Sequence, residues 1–139
     1  MRNILIVDGD LGFVFWLGQA LDRAGYQALP ARTCEDATEL VSQLHLAIHI
    51  LIVNGLLPDA GALAMALRAS DRHLKVIAVT GEGDEQSSVF PEADAFHRKC
   101  SGGGEAAERE WLETIEGVFA SKTPEDSDSR TNGGHASRC

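Results

Sequence analysis

Apolar residues along the chain fall into two alternating patterns. Residues 4–7 read ILIV, and residues 50–53 read ILIV again. Short unbroken runs of this kind predict strands buried on both faces. After the first, Asp10 stands as an N-cap for a helix over Leu11–Ala24, and Gly25 supplies the usual C-terminal stop. Gln27–Leu29 predicts a weak second strand closed by Pro30. Thr33 with Asp36 three residues later reads as a variant capping box. The helix it opens places Ala37, Leu40, Val41 and Leu44 on one face. Ile48–Val53 predicts a third strand, and Pro58 and Asp59 open and cap a helix running through Arg68. Lys75–Val79 and Ala95–His97 predict the fourth and fifth strands. Glu105–Ala120 predicts a final helix with Trp111, Leu112, Ile115, Val118 and Phe119 in one stripe.

Five strands alternating with helices predict a parallel sheet covered on both faces. Right-handed crossovers narrow the topology. In such open sheets the functional crevice lies beyond the carboxyl ends of the strands, where strand order reverses. If the first and third strands are neighbours, Asp8 and Asn54 emerge there side by side.

Composition supports one folded unit. The chain has 139 residues, of which 44% are hydrophobic, enough for one sizeable core. The domain is expected over residues 1–120, with 121–139 (SKTPEDSDSRTNGGHASRC) a disordered polar tail. No apolar run approaches membrane-spanning length, and nothing at the N-terminus reads as a signal peptide, so a cytoplasmic location is expected. Net charge is −9, which disfavours direct binding of nucleic acid. The tail balances Lys122, Arg130 and Arg138 against Glu125, Asp126 and Asp128, so the folded body carries the acidity. Cys34, Cys100 and Cys139 make no CxxC pair and no zinc set with the five histidines. They read as reduced bystander thiols.

The strand ends hold chemistry. The first offers Asp8, Gly9 and Asp10, the third Asn54, the fourth Thr80, and the fifth is followed by Lys99. Carboxylates, a hydroxyl and a lysine around one crevice suit phosphoryl or Mg²⁺ chemistry. Singly, Asp10 is explained as a helix cap and Lys99 as a solvated charge. The ordered set carries the signal.

That set resembles the receiver domain of two-component response regulators, over about residues 2–120. ILIVDGD resembles the family's first strand and acidic pair. HILIVNGLLPD resembles its phosphoacceptor strand, with Pro58 four residues past Asn54. VIAVTG resembles the strand ending in Thr/Ser, and DAFHRK the last strand, with Phe96 at the aromatic switch position three before Lys99. The resemblance implies a flavodoxin/CheY-like (β/α)5 fold, a doubly wound sheet of order 2-1-3-4-5. The fourth helix is expected to be short, because the interval from Thr80 to Lys99 is about three residues less than the family implies.

The departures point to a degenerate receiver, or pseudo-receiver. The phosphate-accepting aspartate falls on Asn54, and an amide is a poor nucleophile that forms no acyl phosphate. The second acid of the pair falls on Gly9, removing a Mg²⁺ ligand. Asp8 and Asp10 form a residual acidic pocket, and Thr80 and Lys99 keep the family's Thr and Lys positions. No cofactor is expected, and Mg²⁺ binding should be weak or absent. The expected function is signalling by phosphorylation-independent protein contact, without enzyme activity and without an attached output domain. Two alternatives exist. ILIVDGD, VIAVTG and Lys99 also resemble haloacid-dehalogenase-type phosphatases, with Asp8 and Asp10 as the acids, but the late acidic pair is missing. Asn54 precedes Gly55, so deamidation could return an aspartate to the pocket.

A protein that acts by contact needs a surface. FVFWL in the first helix holds more apolar residues than one face buries. The inward stripe takes Phe13 and Leu17 with Trp16 or Val14, leaving Phe15 outward. Phe15, Trp16 and, on the last helix, Trp111 are the candidate partner surface. The partner is an unidentified protein. Homodimerisation through the short fourth helix and fifth strand is the alternative.

Overall fold

A computed structural model describes residues 2–80, 93–98 and 104–120, with Thr80 described by its backbone alone. The helix expected between the fourth and fifth strands, Lys99 and the tail 121–139 lie outside the described residues. The elements run β1 (Asn3–Val7), α1 (Leu11–Arg23), β2 (Gln27–Ala31), α2 (Cys34–Leu44), β3 (Ile50–Asn54), α3 (Ala60–Ser70), β4 (Lys75–Thr80), β5 (Ala95–Arg98) and α4 (Gly104–Ala120). The strands form one parallel sheet in the order β2-β1-β3-β4-β5. This is the doubly wound, flavodoxin/CheY-like arrangement.

The two ILIV runs explain the centre of the sheet. Successive side chains of a strand point to opposite faces. Leu5, Val7, Leu51 and Val53 enter one core, which packs against α2 and α3, with Ala37, Leu63 and Ala64. Ile4, Ile6, Ile50 and Ile52 enter the other, with Phe13, Leu17 and Leu21 of α1 and Trp111, Ile115 and Val118 of α4. All eight strand residues are fully buried. At about 1.5–3 kcal/mol for each large aliphatic side chain removed from water, this paired run is the main source of the sheet's stability.

Local signals set the helix ends. Asp10 caps α1, its side chain accepting from the Phe13 N–H at 3.2 Å. At the other end Gly25 has φ +96°, the left-handed conformation that a glycine adopts without strain. Gly25 N–H donates to the Asp22 carbonyl at 3.1 Å and Tyr26 N–H to the Leu21 carbonyl at 3.0 Å. These two bonds make a Schellman stop. Thr33 caps α2, accepting from the Asp36 N–H at 3.0 Å.

Four expectations need correction. The strand β2 does not close at Pro30 but continues to Ala31. It lies at the sheet edge, where the Gln27 N–H donates to the Arg2 carbonyl and the Ala31 carbonyl accepts from the Asp8 N–H at the two ends of β1, so Pro30, one step out of phase, turns its missing N–H to the open side. Asp59 precedes α3 with φ 69° and no side-chain cap bond, so it turns the chain rather than capping it. Leu44 is not part of the buried face of α2: it is 44% exposed at the last turn, where His45 leaves the helix in a left-handed conformation. Trp111 is not a surface residue. It is fully buried, with its ring 5.8 Å from Phe13 and 3.9 Å from His97. Its spacing to Ile115 and Val118 places all three on the inward face of α4.

Candidate functional site

Strand register assembles the site. Val7 lies opposite Val53, so Asp8 and Asn54 follow as neighbours at the ends of β1 and β3. Asn54 lies opposite Val79, and Thr80 opposite Arg98. The sheet therefore brings Asp8, Asn54 and the Thr80 backbone to one edge, at the point where strand order reverses between β1 and β3. Lys99, one residue past β5, lies outside the described residues.

Each acidic position has a defined task. Asp8 is 2% exposed, and its Oδ1 accepts from the Asp10 N–H at 2.9 Å. Its own N–H donates to the Ala31 carbonyl at 3.1 Å, tying the loop to β2. Asp10 is exposed, and its Oδ1 is engaged in capping α1. Between them, Gly9 leaves open space: a Cβ built there meets nothing within 4 Å. Packing therefore does not require a glycine at position 9.

Asn54 is half-buried. Its Oδ1 accepts from the Leu56 N–H at 2.9 Å, and its carbonyl accepts from the Leu57 N–H at 3.0 Å. The amide oxygen is turned back to its own loop, as in an Asx-turn. Mg²⁺ favours carboxylate oxygens in near-octahedral array. Two carboxylates, one of them engaged at a helix end, beside a neutral amide do not fit that demand. Among the described residues no group of three or more His, Cys, Asp and Glu side chains could hold a metal.

The other expected residues are spread over the fold. Phe96 is half-buried on the α3 side of β5, packed against the first core. Cys34 is buried, and burial, with the Asp59 charge, pushes its thiol above 9.0, so it remains protonated at neutral pH. Phe15 is 57% exposed, whereas its neighbour Val14 is 1% exposed. Trp16 is half-buried, 6.3 Å from Phe13. Leu11, one turn before Phe15, is also exposed.

Beside Phe15 an open groove of about 740 Å³ runs between α1 and the free edge of β2, floored by Gly18, Ala28 and Pro30. Sequence reasoning did not anticipate this groove, because it needs the edge position of β2. It also passed over His97, which stands in the second core's wall. The signal was available: in AFHR, alternation points His97 to the same side as Ala95, away from Phe96.

No family model matches the chain, and no curated protein matches it. Solved structures do match it. A CheY-like response regulator receiver domain protein from Methanospirillum hungatei JF-1 superimposes with a TM-score of 0.69 at 26% identity, covering 86% of this chain and 94% of that one. The chemotaxis response regulator CheY4 of Vibrio cholerae gives 0.68 at 18% identity, over 85% of this chain and 98% of that one. A response regulator receiver domain protein from Clostridium thermocellum gives 0.68 at 17% identity, over 86% and 94%. The fold is that of response regulator receiver domains.

Proposed function

We propose that this chain is a receiver-like element of two-component-type signalling that works by protein contact and does not take up a phosphoryl group. The observation that carries this is Asn54. It stands beside Asp8 at the strand end where the resemblance puts the acceptor carboxylate, and its amide oxygen is bonded to the Leu56 N–H. Gly9 removes a second acid from the same loop. An amide gives neither the nucleophile nor the anionic ligand that the chemistry needs. Phosphatase chemistry is less well supported, because Asp10 would have to face a substrate and its Oδ1 instead caps α1.

Intact mass after incubation with Mg²⁺ and acetyl phosphate tests the reading. The expected result is an unchanged mass; a shift of one phosphoryl group, abolished by Asn54→Ala, would sink it.

The contact surface in this reading is the outer face of α1, where Phe15 and Leu11 are exposed. An exposed aromatic that fills a partner pocket contributes about 2 kcal/mol or more to binding. Phe15→Ala is therefore expected to weaken binding of a purified partner at least about tenfold while leaving the melting temperature nearly unchanged. Titration calorimetry with both proteins reads this, and equal affinities would remove α1 as the surface.

A further inference from the structure

The wall of the second core holds a histidine that the site does not use. His97 lies in β5, opposite Val79 of β4, and is 1% exposed. Its ring stacks on Trp111 of α4 with centroids 3.9 Å apart and planes 24° apart. Trp111 in turn meets Phe13 of α1. The imidazole is thus a spacer between the sheet and the helix that closes it.

Its hydrogen bonding is incomplete. Nδ1 lies 2.9 Å from the Arg98 carbonyl, which makes Nδ1 the protonated nitrogen of the neutral ring. Nε2 is then a buried lone pair with no hydrogen-bond partner among the described residues. Trp111 Nε1 and Glu110 Oε1 are also buried without hydrogen-bond partners among the described residues. Glu110 precedes Trp111 on α4, so three unmatched polar atoms belong to adjacent side chains of one helix–strand contact. Buried polar groups left unpaired are costly, so this contact is less stable than an apolar one of the same area.

Burial decides the direction, and the charged and polar neighbours oppose it. Among the described residues, β4 presents Ile77 and Val79 to this core, and α1 presents Phe13, all apolar. From α4, Glu110 is the acid that acts on His97, while Arg109 and Glu113 are exposed. On β5, Arg98 is exposed and one step out of phase with His97. Burial holds the His97 imidazole below its ordinary 6.5, against the opposing pull of the Arg98 carbonyl and of the Glu110 carboxylate and carbonyl.

We propose that His97 is a proton-sensitive latch between β5 and α4: neutral, it lets α4 close on the sheet; protonated, it loosens the Trp111 contact and admits water. The physical reason is the charge. Among the described residues an imidazolium in this wall has the Glu110 carboxylate and the Arg98 and Glu110 carbonyls near it and apolar side chains elsewhere, so the rest of its hydration is regained by opening. Glu110 limits the cost, so loosening is local and reversible. The sign follows from linkage. The closed state binds the proton less well than the open or unfolded state, so it is favoured above about pH 6.5 and lost as pH falls below that value toward the lower closed-state midpoint. One proton per molecule limits the effect to about tenfold in the opening equilibrium per pH unit. The latch holds whether or not Asn54 takes up phosphate.

Nuclear magnetic resonance titration of the intact protein from pH 7.5 to 5.0 tests it directly. The His97 ring is expected to titrate with a midpoint below 6.5, and the Trp111 indole N–H to shift with the same midpoint. Hydrogen exchange of α4 amides is read in the same samples against His97→Phe, which keeps a flat ring over Trp111 but cannot titrate. At equal pH the intrinsic exchange rates cancel. The ratio of wild-type to variant exchange is expected to rise several-fold between pH 7 and 5.5. A His97 midpoint at or above 6.5, a Trp111 signal independent of it, or a constant exchange ratio would overturn the latch. If His97→Phe does not fold, His97→Gln serves as the exchange reference, and the ring titration decides on the wild type alone.

Discussion

Trp111→Ala is expected to lower the unfolding free energy by about 3–5 kcal/mol, the range seen when a large aromatic is cut from a close-packed core. Trp111 is fully buried and touches both Phe13 of α1 and His97 of β5, so it joins three elements in one contact. Ile77, Val79, Ile115 and Leu17 share its core and sit on the sheet and the two helices, so little can move in to fill the cavity. Single domains have about 5–15 kcal/mol of stability in total, so this one change should leave the protein barely folded. Urea unfolding followed by far-ultraviolet circular dichroism gives the measurement. The midpoint should fall sharply with an unchanged slope. Phe15→Ala is the matched control, since Phe15 is 57% exposed, and its midpoint should stay within about 0.5 kcal/mol of wild type. A loss below about 1 kcal/mol for Trp111→Ala would mean that α4 does not close the second core as described.

The second large effect is a gain. Gly9→Asp combined with Asn54→Asp is expected to create a Mg²⁺ site where the wild type has a poor donor set. The space exists, because a Cβ at Gly9 meets nothing within 4 Å. Three carboxylates would then lie at the ends of β1 and β3, with Asp8 already buried between them. Without metal, their mutual repulsion should destabilise the double variant relative to wild type. With millimolar Mg²⁺ its melting temperature should rise, while that of the wild type stays fixed, because binding to the folded state alone stabilises it. Affinity should increase by about a hundredfold or more, since the count of anionic ligands tunes such sites over orders of magnitude. Thermal melts at several Mg²⁺ concentrations read it. A double variant that ignores Mg²⁺ would show that the crevice has departed from a phosphoryl site in more than two side chains.

The two predictions probe features that were not equally visible in the chain. The paired ILIV runs announced two central strands, and their ends announced a shared crevice. Equal burial on both faces leaves no alternation, so the pattern is readable without any partner. Gly25 and the Thr33–Asp36 pair marked helix ends because capping bonds span only a few residues. Pro30 misled because proline usually closes a strand, and only the position of β2 at the sheet edge makes it harmless. Trp111 misled because an amphipathic helix rich in aromatics has the same stripe whether it meets its own sheet or another protein. His97 escaped notice because its meaning lies in the ring it stacks on, 14 positions later in sequence.

By itself, the amino-acid sequence determined the order of strands and helices, the two-sided burial of the central sheet, and the chemistry available at the strand ends, with a glycine at position 9 and a neutral amide at Asn54. These depend on residue type and on spacings of a few positions, where local physics suffices. Only the tertiary structure decided that Asp8 and Asn54 are neighbours, that Pro30 faces an open edge, that Trp111 points inward, and that His97 meets Trp111 in a buried wall. Those facts are contacts between residues distant in the chain. They follow from strand register and helix packing, which are set by the whole core closing at once.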